Sequence, residues 1–341
     1  MSAPRPGSRT VATVIPCRNE ARRLPALLYA LTGQSRPPDE IVVVDDRSID
    51  RSAEIVRAWA EAHPQTPVRV VTGAGRGPGP AMNVGIASTS ADIIMRMDGH
   101  AVPATDYLER SLATALRDGG TELRDTIGVV GGVWDVQAGA PTSVARAIAA
   151  VVSHPVGSGG AAYRSAGSGS STPRDVDTVP FGTFPRAVWE ALDGFDESLE
   201  ANQDYDFNYR ARAAGYRVVL DPSIRCAYFA RPTLWTLARQ YFRYGFWKWQ
   251  MLRKHPRSMR SRQLLSAALL PWVLATAALA IVRPSVGVGV VALLYPLVVV
   301  SSAIHVALTR RVNPASAVAA IAVVHLAWSA GFWAGTRGGR R

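Results

Sequence analysis

The chain has 341 residues, 48% of them apolar, which is enough to bury at least one large core and excludes a disordered chain. Its formal charge of +12 is confined to one end: all 26 acidic residues lie at or before Asp221 beside 22 basic ones, while the 120 residues beyond carry 16 basic groups and no acid. This distribution excludes a uniformly basic nucleic-acid binder and indicates that the C-terminal third meets anionic membrane lipid.

Only Cys17 and Cys226 are present, in no metal-binding spacing, and both read as free thiols of a reducing compartment. Met1 to Arg9 lacks an apolar run, so no signal peptide is expected and the N-terminal part is assigned to the cytoplasm.

Val11 to Ile15 is a β-branched strand that stops at Pro16-Cys17-Arg18-Asn19-Glu20. Helical spacing follows at Leu24, Leu27, Leu28 and Leu31. Ile41 to Val44 is a second strand, ending in Asp45-Asp46-Arg47-Ser48-Ile49-Asp50, with a helix over Ser52 to Ala62 and a third strand over Val68 to Val71. This alternation predicts a parallel sheet with helices on both faces. The loop Gly73 to Gly85 offers backbone N–H groups to a phosphate or simply joins strand to helix; it matches no phosphate-binding pattern, and the joining role is preferred.

The apolar run Ile93 to Met97 is a buried strand whose carboxyl end presents Asp98 and His100. Ligands of open α/β sheets bind beyond such ends, and Asp and His two apart can hold a divalent cation that grips a diphosphate; the plain alternative is that Asp98 caps the next turn. Tyr107 to Leu116 reads as a helix, Ile127 to Trp134 as a strand and Ser143 to Val152 as a helix. Residues 153–171, rich in Gly, Ser and Ala, read as a mobile lid or spacer. A helix is predicted to begin near Asp204 and to close at Gly215. Asp204 is there an N-cap or a functional carboxylate, and Asp206 an exposed first-turn acid stabilised by the helix dipole.

Val14-Ile15-Pro16-Cys17-Arg18-Asn19-Glu20, Val44-Asp45-Asp46-Arg47-Ser48-Ile49-Asp50, Asp98-Gly99-His100 and Gln203-Asp204-Tyr205-Asp206, in this order, resemble the family 2 inverting glycosyltransferases of GT-A fold over about residues 10–255. Within the family, Asp98-Gly99-His100-Ala101 and Asn202-Gln203-Asp204 look most like the membrane-bound glucosyltransferases of succinoglycan-type exopolysaccharide synthesis. The resemblance implies a nucleotide-sugar donor, by default a UDP-hexose, contacted by Pro16, Arg18, Glu20, Asp45, Asp46, Ser48, Asn83, Arg96 and Asp98. It implies a metal held by Asp98 and His100, the base Asp204, and Gly182 and Gln203 near the acceptor or diphosphate. The family's usual D-x-D is D-x-H here and its usual Glu-Asp is Gln203-Asp204; an imidazole ligand favours Mn²⁺ over Mg²⁺.

Residues 222–262 hold ten basic groups interleaved with Trp235, Tyr241, Phe242, Tyr244, Phe246, Trp247 and Trp249, a composition suited to the membrane interface. Gln240-Tyr241-Phe242-Arg243-Tyr244 resembles the Q-x-x-R-W motif of polysaccharide synthases, which would add Gln240, Arg243 and Tyr244 to the acceptor or diphosphate residues. Leu264 to Val282, Val286 to Leu308 and Ala315 to Trp333 each have the length of a spanning helix. Positive-inside logic puts Arg310 and Arg311 in the cytoplasm, but an odd number of spans then puts Arg337 outside, so one stretch is a candidate re-entrant or interfacial helix.

The expected fold class is therefore α/β: a GT-A nucleotide-sugar-binding Rossmann-like domain, an interfacial amphipathic helix and C-terminal transmembrane helices. The expected boundaries are a flexible 1–10, a cytoplasmic catalytic 11–225, a basic aromatic 226–262 and membrane helices over 263–335. The expected activity is inverting transfer from the nucleotide sugar to a polyprenyl-linked saccharide at the inner membrane. The alternatives are transfer to polyprenyl phosphate itself, or a non-catalytic membrane-anchored binder of nucleotide sugar or nucleic acid.

Overall fold

The computed structural model describes residues 9–117, 122–124, 126–164 and 172–337. Two compact units divide the chain: Met1–Asp135 with Ala166–Tyr228, and Val136–Ser165 with Phe229–Arg341. The second crossing falls between Tyr228 and Phe229, and residues 136–165 group with the second unit rather than the first. No sequence signal marked this excursion, because its helix is as apolar as a core helix of either unit.

In the first unit, strands β1 (Val11–Cys17), β2 (Glu40–Asp45), β3 (Val68–Thr72) and β4 (Ile93–Arg96) form a parallel block in the order β3-β2-β1-β4. The Val- and Ile-rich centres of β1, β2 and β4 are buried, as strands covered on both faces require, while the edge strand β3 is only partly buried. Helices α1 (Leu24–Thr32), α2 (Ser52–Ala62), α3 (Pro78–Ala87) and α4 (Tyr107–Ala115) connect or flank this block. Beyond β4 the sheet becomes mixed. The sheet continues through β5 (Val102–Pro103), β6 (Ile127–Gln137), β7 (Thr183–Pro185) and β8 (Arg217–Phe229) in the spatial order β4-β7-β6-β8-β5, and β7 runs antiparallel to both β4 and β6. Only three residues long and ending in proline, β7 has no periodicity to betray it; its pairing with Ile93–Met95 is what makes it a strand.

The expected lid at 153–171 is partly ordered. Helix α5 (Ser143–Ser153) is followed at once by the single turn α6 (Pro155–Ser158), whose first amide, Val156 N–H, donates to His154 Nδ1 at 3.2 Å. Residues 165–171 lie outside the described residues, as do 1–8 of the expected flexible N-terminus. Back in the first unit, α7 (Arg186–Ala191) precedes α8 (Gln203–Ala213), which starts where the sequence indicated but with Asn202, in left-handed backbone (φ 64°), as the N-cap.

The second unit contains α9 (Leu234–Lys254), α10 (Ser261–Val282), α11 (Val286–Arg310) and α12 (Pro314–Arg337). The last three include stretches of 20, 25 and 24 residues that are long and apolar enough to cross a membrane, each starting within one residue of the predicted start. They are not equivalent: 39% of the third is buried by protein, compared with 6% and 11% of the first and second. Much of that burial is against α9. A Cβ at Gly245 of α9 would stand 2.0 Å from the carbonyl oxygen of Trp328, and one at Gly331 of α12 would stand 2.0 Å from that of Phe242, so the two backbones approach as only glycines permit. Pro271 in α10 lacks the N–H that would bind the Ala267 carbonyl, and that oxygen instead accepts from Ser329 Oγ (3.1 Å) and Trp333 Nε1 (2.8 Å) of α12.

Candidate active site

The carboxyl ends of β1 and β2 are tied together by their own loops. Asn19, in left-handed backbone, donates its N–H to Ser48 Oγ (3.0 Å) and accepts from Ile49 N–H (2.9 Å), while Ser48 N–H donates to Asp45 Oδ1 (3.2 Å). Glu20 N–H reaches Ser52 Oγ at 2.9 Å. Asp46 is buried, and its two carboxylate oxygens accept from Gly75 N–H (2.6 Å) and Gly77 N–H (2.7 Å). Both glycines have positive φ, which turns their amides toward the acid. The glycine loop therefore cradles an anion that the chain itself supplies, in agreement with a joining role over a phosphate cradle.

Asn83 was expected at the nucleotide. Its amide oxygen accepts from Trp189 Nε1 (3.0 Å) and Phe195 N–H (2.8 Å), and its amide nitrogen donates to the Phe195 carbonyl (2.9 Å) and Glu197 Oε1 (3.2 Å). All four of its hydrogen-bonding positions are filled, so Asn83 holds α3 to the 189–197 segment. Pro16 is in β1 and Arg18 lies exposed just beyond it. The thiol of Cys17 is pushed up to about 11, chiefly by burial, and is protonated at neutral pH.

At the end of β4 the chain gathers its remaining candidates. Arg96 is 3% exposed, and its backbone is fixed by pairing with Val14 of β1 and by its N–H on the carbonyl of Gly182 (3.0 Å). Its guanidinium pairs with Asp98 Oδ1 (2.9 Å) and with Asp204 at the second residue of α8. Asp98 and Asp204 thus meet at one buried cation across 106 residues of sequence, each with about a quarter to a third of its side chain still exposed. The plain reading of Asp98 fails: the following turn is closed by backbone, Ala101 N–H to Asp98 O at 3.0 Å. Asp204 is not the N-cap, and Gln203 beside it is buried.

His100 turns Nδ1 to Glu20 Oε1 at 3.1 Å, leaving Nε2 as the atom available to a ligand. A carboxylate behind an imidazole is the usual arrangement around a metal-binding histidine. Among the described residues, no three His, Cys, Asp or Glu side chains form a metal cage. Asp98 and His100 are the two residues here whose side-chain chemistry suits a divalent cation, and two ligands leave the rest of such a shell to substrate phosphate and water. Glu20, expected near the base of the nucleotide, serves His100 in this structure.

Asp206 requires a correction. Expected as an exposed first-turn acid, it is fully buried and accepts from Arg210 Nε at 2.7 Å, while Arg210 also donates to the carbonyls of Leu192 (2.6 Å) and Gly194 (2.9 Å). The pair staples α8 to the left-handed turn at Asp193-Gly194. The i, i+4 spacing of Asp206 and Arg210 was the one signal that could have revealed it. Of the other acceptor-side candidates, Gln240, Arg243 and Tyr244 belong to α9 in the second unit, where Gln240 Nε2 donates to Tyr244 Oη at 3.0 Å. Sequence reasoning also missed Trp134, stacked on Tyr228 at 4.0 Å, with the Tyr228 ring 6.4 Å from His100.

Residues 13–129 match the family description "Glycosyl transferase family 2". The chain is 31% identical over 340 residues to the succinoglycan biosynthesis protein ExoA of Rhizobium meliloti, covering 98% of this chain and 97% of that protein. It is 25% identical over 247 residues to a dolichyl N-acetyl-α-D-glucosaminyl phosphate 3-β-D-2,3-diacetamido-2,3-dideoxy-β-D-glucuronosyltransferase of Methanococcus voltae, covering 72% and 74% of the two chains. Among solved structures, the mannosyltransferase PcManGT of Pyrobaculum calidifontis, in complex with GDP-Man and Mn²⁺, superposes with a TM-score of 0.63 at 20% identity over 94% of this chain and 86% of that one.

Proposed function

This chain belongs to glycosyltransferase family 2, and from that premise we propose that it transfers a sugar from a nucleoside diphosphate donor, with inversion, to a hydroxyl of a polyprenyl-linked saccharide at the membrane. The observation that supports this reading is the meeting of Asp98 and Asp204 on Arg96; in this reading Asp98 is the diphosphate-side acid and Asp204 the acceptor-side acid. Asp204 accepts the proton of the acceptor hydroxyl as the glycosidic bond opens on the opposite face, a contribution of about 10² to 10⁴ in rate. A divalent cation on Asp98 and His100 would neutralise charge growing on the leaving diphosphate. Glu20 holds the His100 ring in place, Asp46 fixes the loop wall beside the donor, and Gln203 lines the acceptor side.

The acceptor follows from the second unit. A transferase with three helices fit to cross a membrane and an aromatic, basic α9 is built to meet a substrate that is itself anchored in lipid. The Methanococcus relative carries a dolichyl-linked sugar in its name, which supports the same class. In this reading the sheet unit is cytoplasmic, where sugar nucleotides are made, and the donor is a UDP-hexose. Detergent-purified full-length protein is to be incubated with a panel of sugar nucleotides and a polyprenyl-linked saccharide extract, with and without chelator. Release of nucleoside diphosphate that requires both the lipid and a divalent cation, with Mn²⁺ preferred, is expected. Full turnover by Asp204→Asn would overturn the assignment of the base and with it the mechanism.

A further inference from the structure

We propose that Arg96 is a positioning residue: through one buried guanidinium it aims the base Asp204 and sets its distance from the diphosphate-side acid Asp98. The proposal rests on the transferase reading given above. Arg96 is the last residue of a fully buried strand, and its backbone is held on both sides, by β1 and by the carbonyl of Gly182. Its side chain therefore starts from a fixed point in the sheet and ends between two carboxylates from different parts of the chain. Arginine suits this position because its planar fork presents five N–H donors in fixed directions and so can hold two acids at a set separation. Asp204 lies in the first turn of α8, next but one to the N-cap Asn202, and 30% of its side chain is exposed. Without the guanidinium, Asp204 and Asp98 would face one another across the cleft unscreened, and Asp204 would be free to rotate toward solvent.

The test is a double-mutant cycle on the full-length enzyme with Arg96→Met, Asp204→Asn and both together, reading kcat, donor and acceptor KM and the thermal midpoint, with Arg96→Lys as the conservative variant. Arg96→Met is expected to lower kcat about 10 to 10² fold, approaching the loss of the base itself, with donor KM changed far less. Arg96→Lys should recover part of the rate, since an ammonium keeps the charge without the fork. The double variant should be no slower than Asp204→Asn alone, because residues that act as one unit do not lose their effects twice. Multiplicative losses in the double variant, or a rise in donor KM at unchanged kcat, would overturn the proposal. If Arg96→Met does not fold, Arg96→Lys in the wild-type and Asp204→Asn backgrounds completes the cycle. Transfer that is abolished by Asp204→Asn and untouched at Arg96 would refute this proposal and leave the proposed function standing; Asp204→Asn at full rate would refute both.

The second unit independently carries another inference: the geometry points to an even number of membrane crossings, with Ser261 and Arg337 on the same side. Three successive crossings from Ser261 would carry Arg337 to the opposite face. Gln250 Nε2 of α9, however, donates to the Gly335 carbonyl at 3.1 Å, and Gly335 lies against Trp249, so the last turns of α12 lie beside the last turns of α9. With six residues between them, α10 follows α9, after Ser258 has turned back to accept from Lys248 Nζ at 3.0 Å, and the Ala267 carbonyl in its second turn meets Ser329 and Trp333. The start of α10 and the end of α12 are thus at one end of this unit. The native thiols, Cys17 and Cys226, are buried, so single cysteines at Ser261→Cys and Thr336→Cys can be labelled with an impermeant reagent in oriented vesicles. Labelling of both from one side is expected; labelling from opposite sides would restore an odd count.

Discussion

In the sheet unit the acids at the strand ends are matched by the chain: Asp46 by two glycine amides, Asp98 and Asp204 by Arg96, Asp206 by Arg210. The helical unit contains no acid at all, yet it carries the arginines and lysines of α9 and of the segments that follow. One unit matches these acids within itself; the other holds no acid to match its positive charge. Within the first unit the same contrast recurs on one helix. Asp206 is buried and braces the fold, while Asp204, two residues earlier, stays partly open to the cleft.

The sharpest way to break this contrast is at Asp206. Asp206→Asn leaves Arg210 without its buried partner, and a loss of about 3 kcal/mol or more is expected in urea or thermal unfolding of the detergent-solubilised protein; a change within about 0.5 kcal/mol would mean that the pair does not brace α8. Asp204→Asn should do the reverse, lowering kcat by about 10² or more, equivalent to about 2.7 kcal/mol, while the unfolding midpoint stays near wild type. Next in size is the helical unit's own packing. Gly245→Val or Gly331→Val forces α9 and α12 apart at their closest backbone approach and should cost about 1 to 3 kcal/mol, read as a lower melting temperature. The smallest effect concerns charge. Replacing the exposed Arg253 and Arg257 with glutamine should weaken retention of anionic lipid through detergent exchange by about 1 kcal/mol per charge, with a matching loss of salt sensitivity. Equal retention by the variant would show that these groups do not face lipid headgroups.

Much of this molecule was already legible in the order of its residues. The parallel block, the helix at α8 and the three apolar helices follow from periodicity and length, which act locally and therefore leave a pattern in contiguous sequence. The strand-end motifs likewise singled out Asp98, His100 and Asp204 as candidates, and the fold brings Asp98 and Asp204 to one arginine. Partnerships were a different matter. An arginine inside Ile-Ile-Met-Arg-Met had to be paired, since a buried guanidinium is costly alone, but nothing nearby in sequence said that its partners were two residues and 108 residues away. Asn83 and Glu20 were expected at the donor from the family resemblance; only the fold shows that one fills its hydrogen bonds within the protein and that the other reaches a histidine eighty residues on. The same holds for β7, the excursion of residues 136–165 and the seating of α12 against α9. Each depends on which distant surface arrives beside it, and such contacts become determined only when the chain has closed on itself.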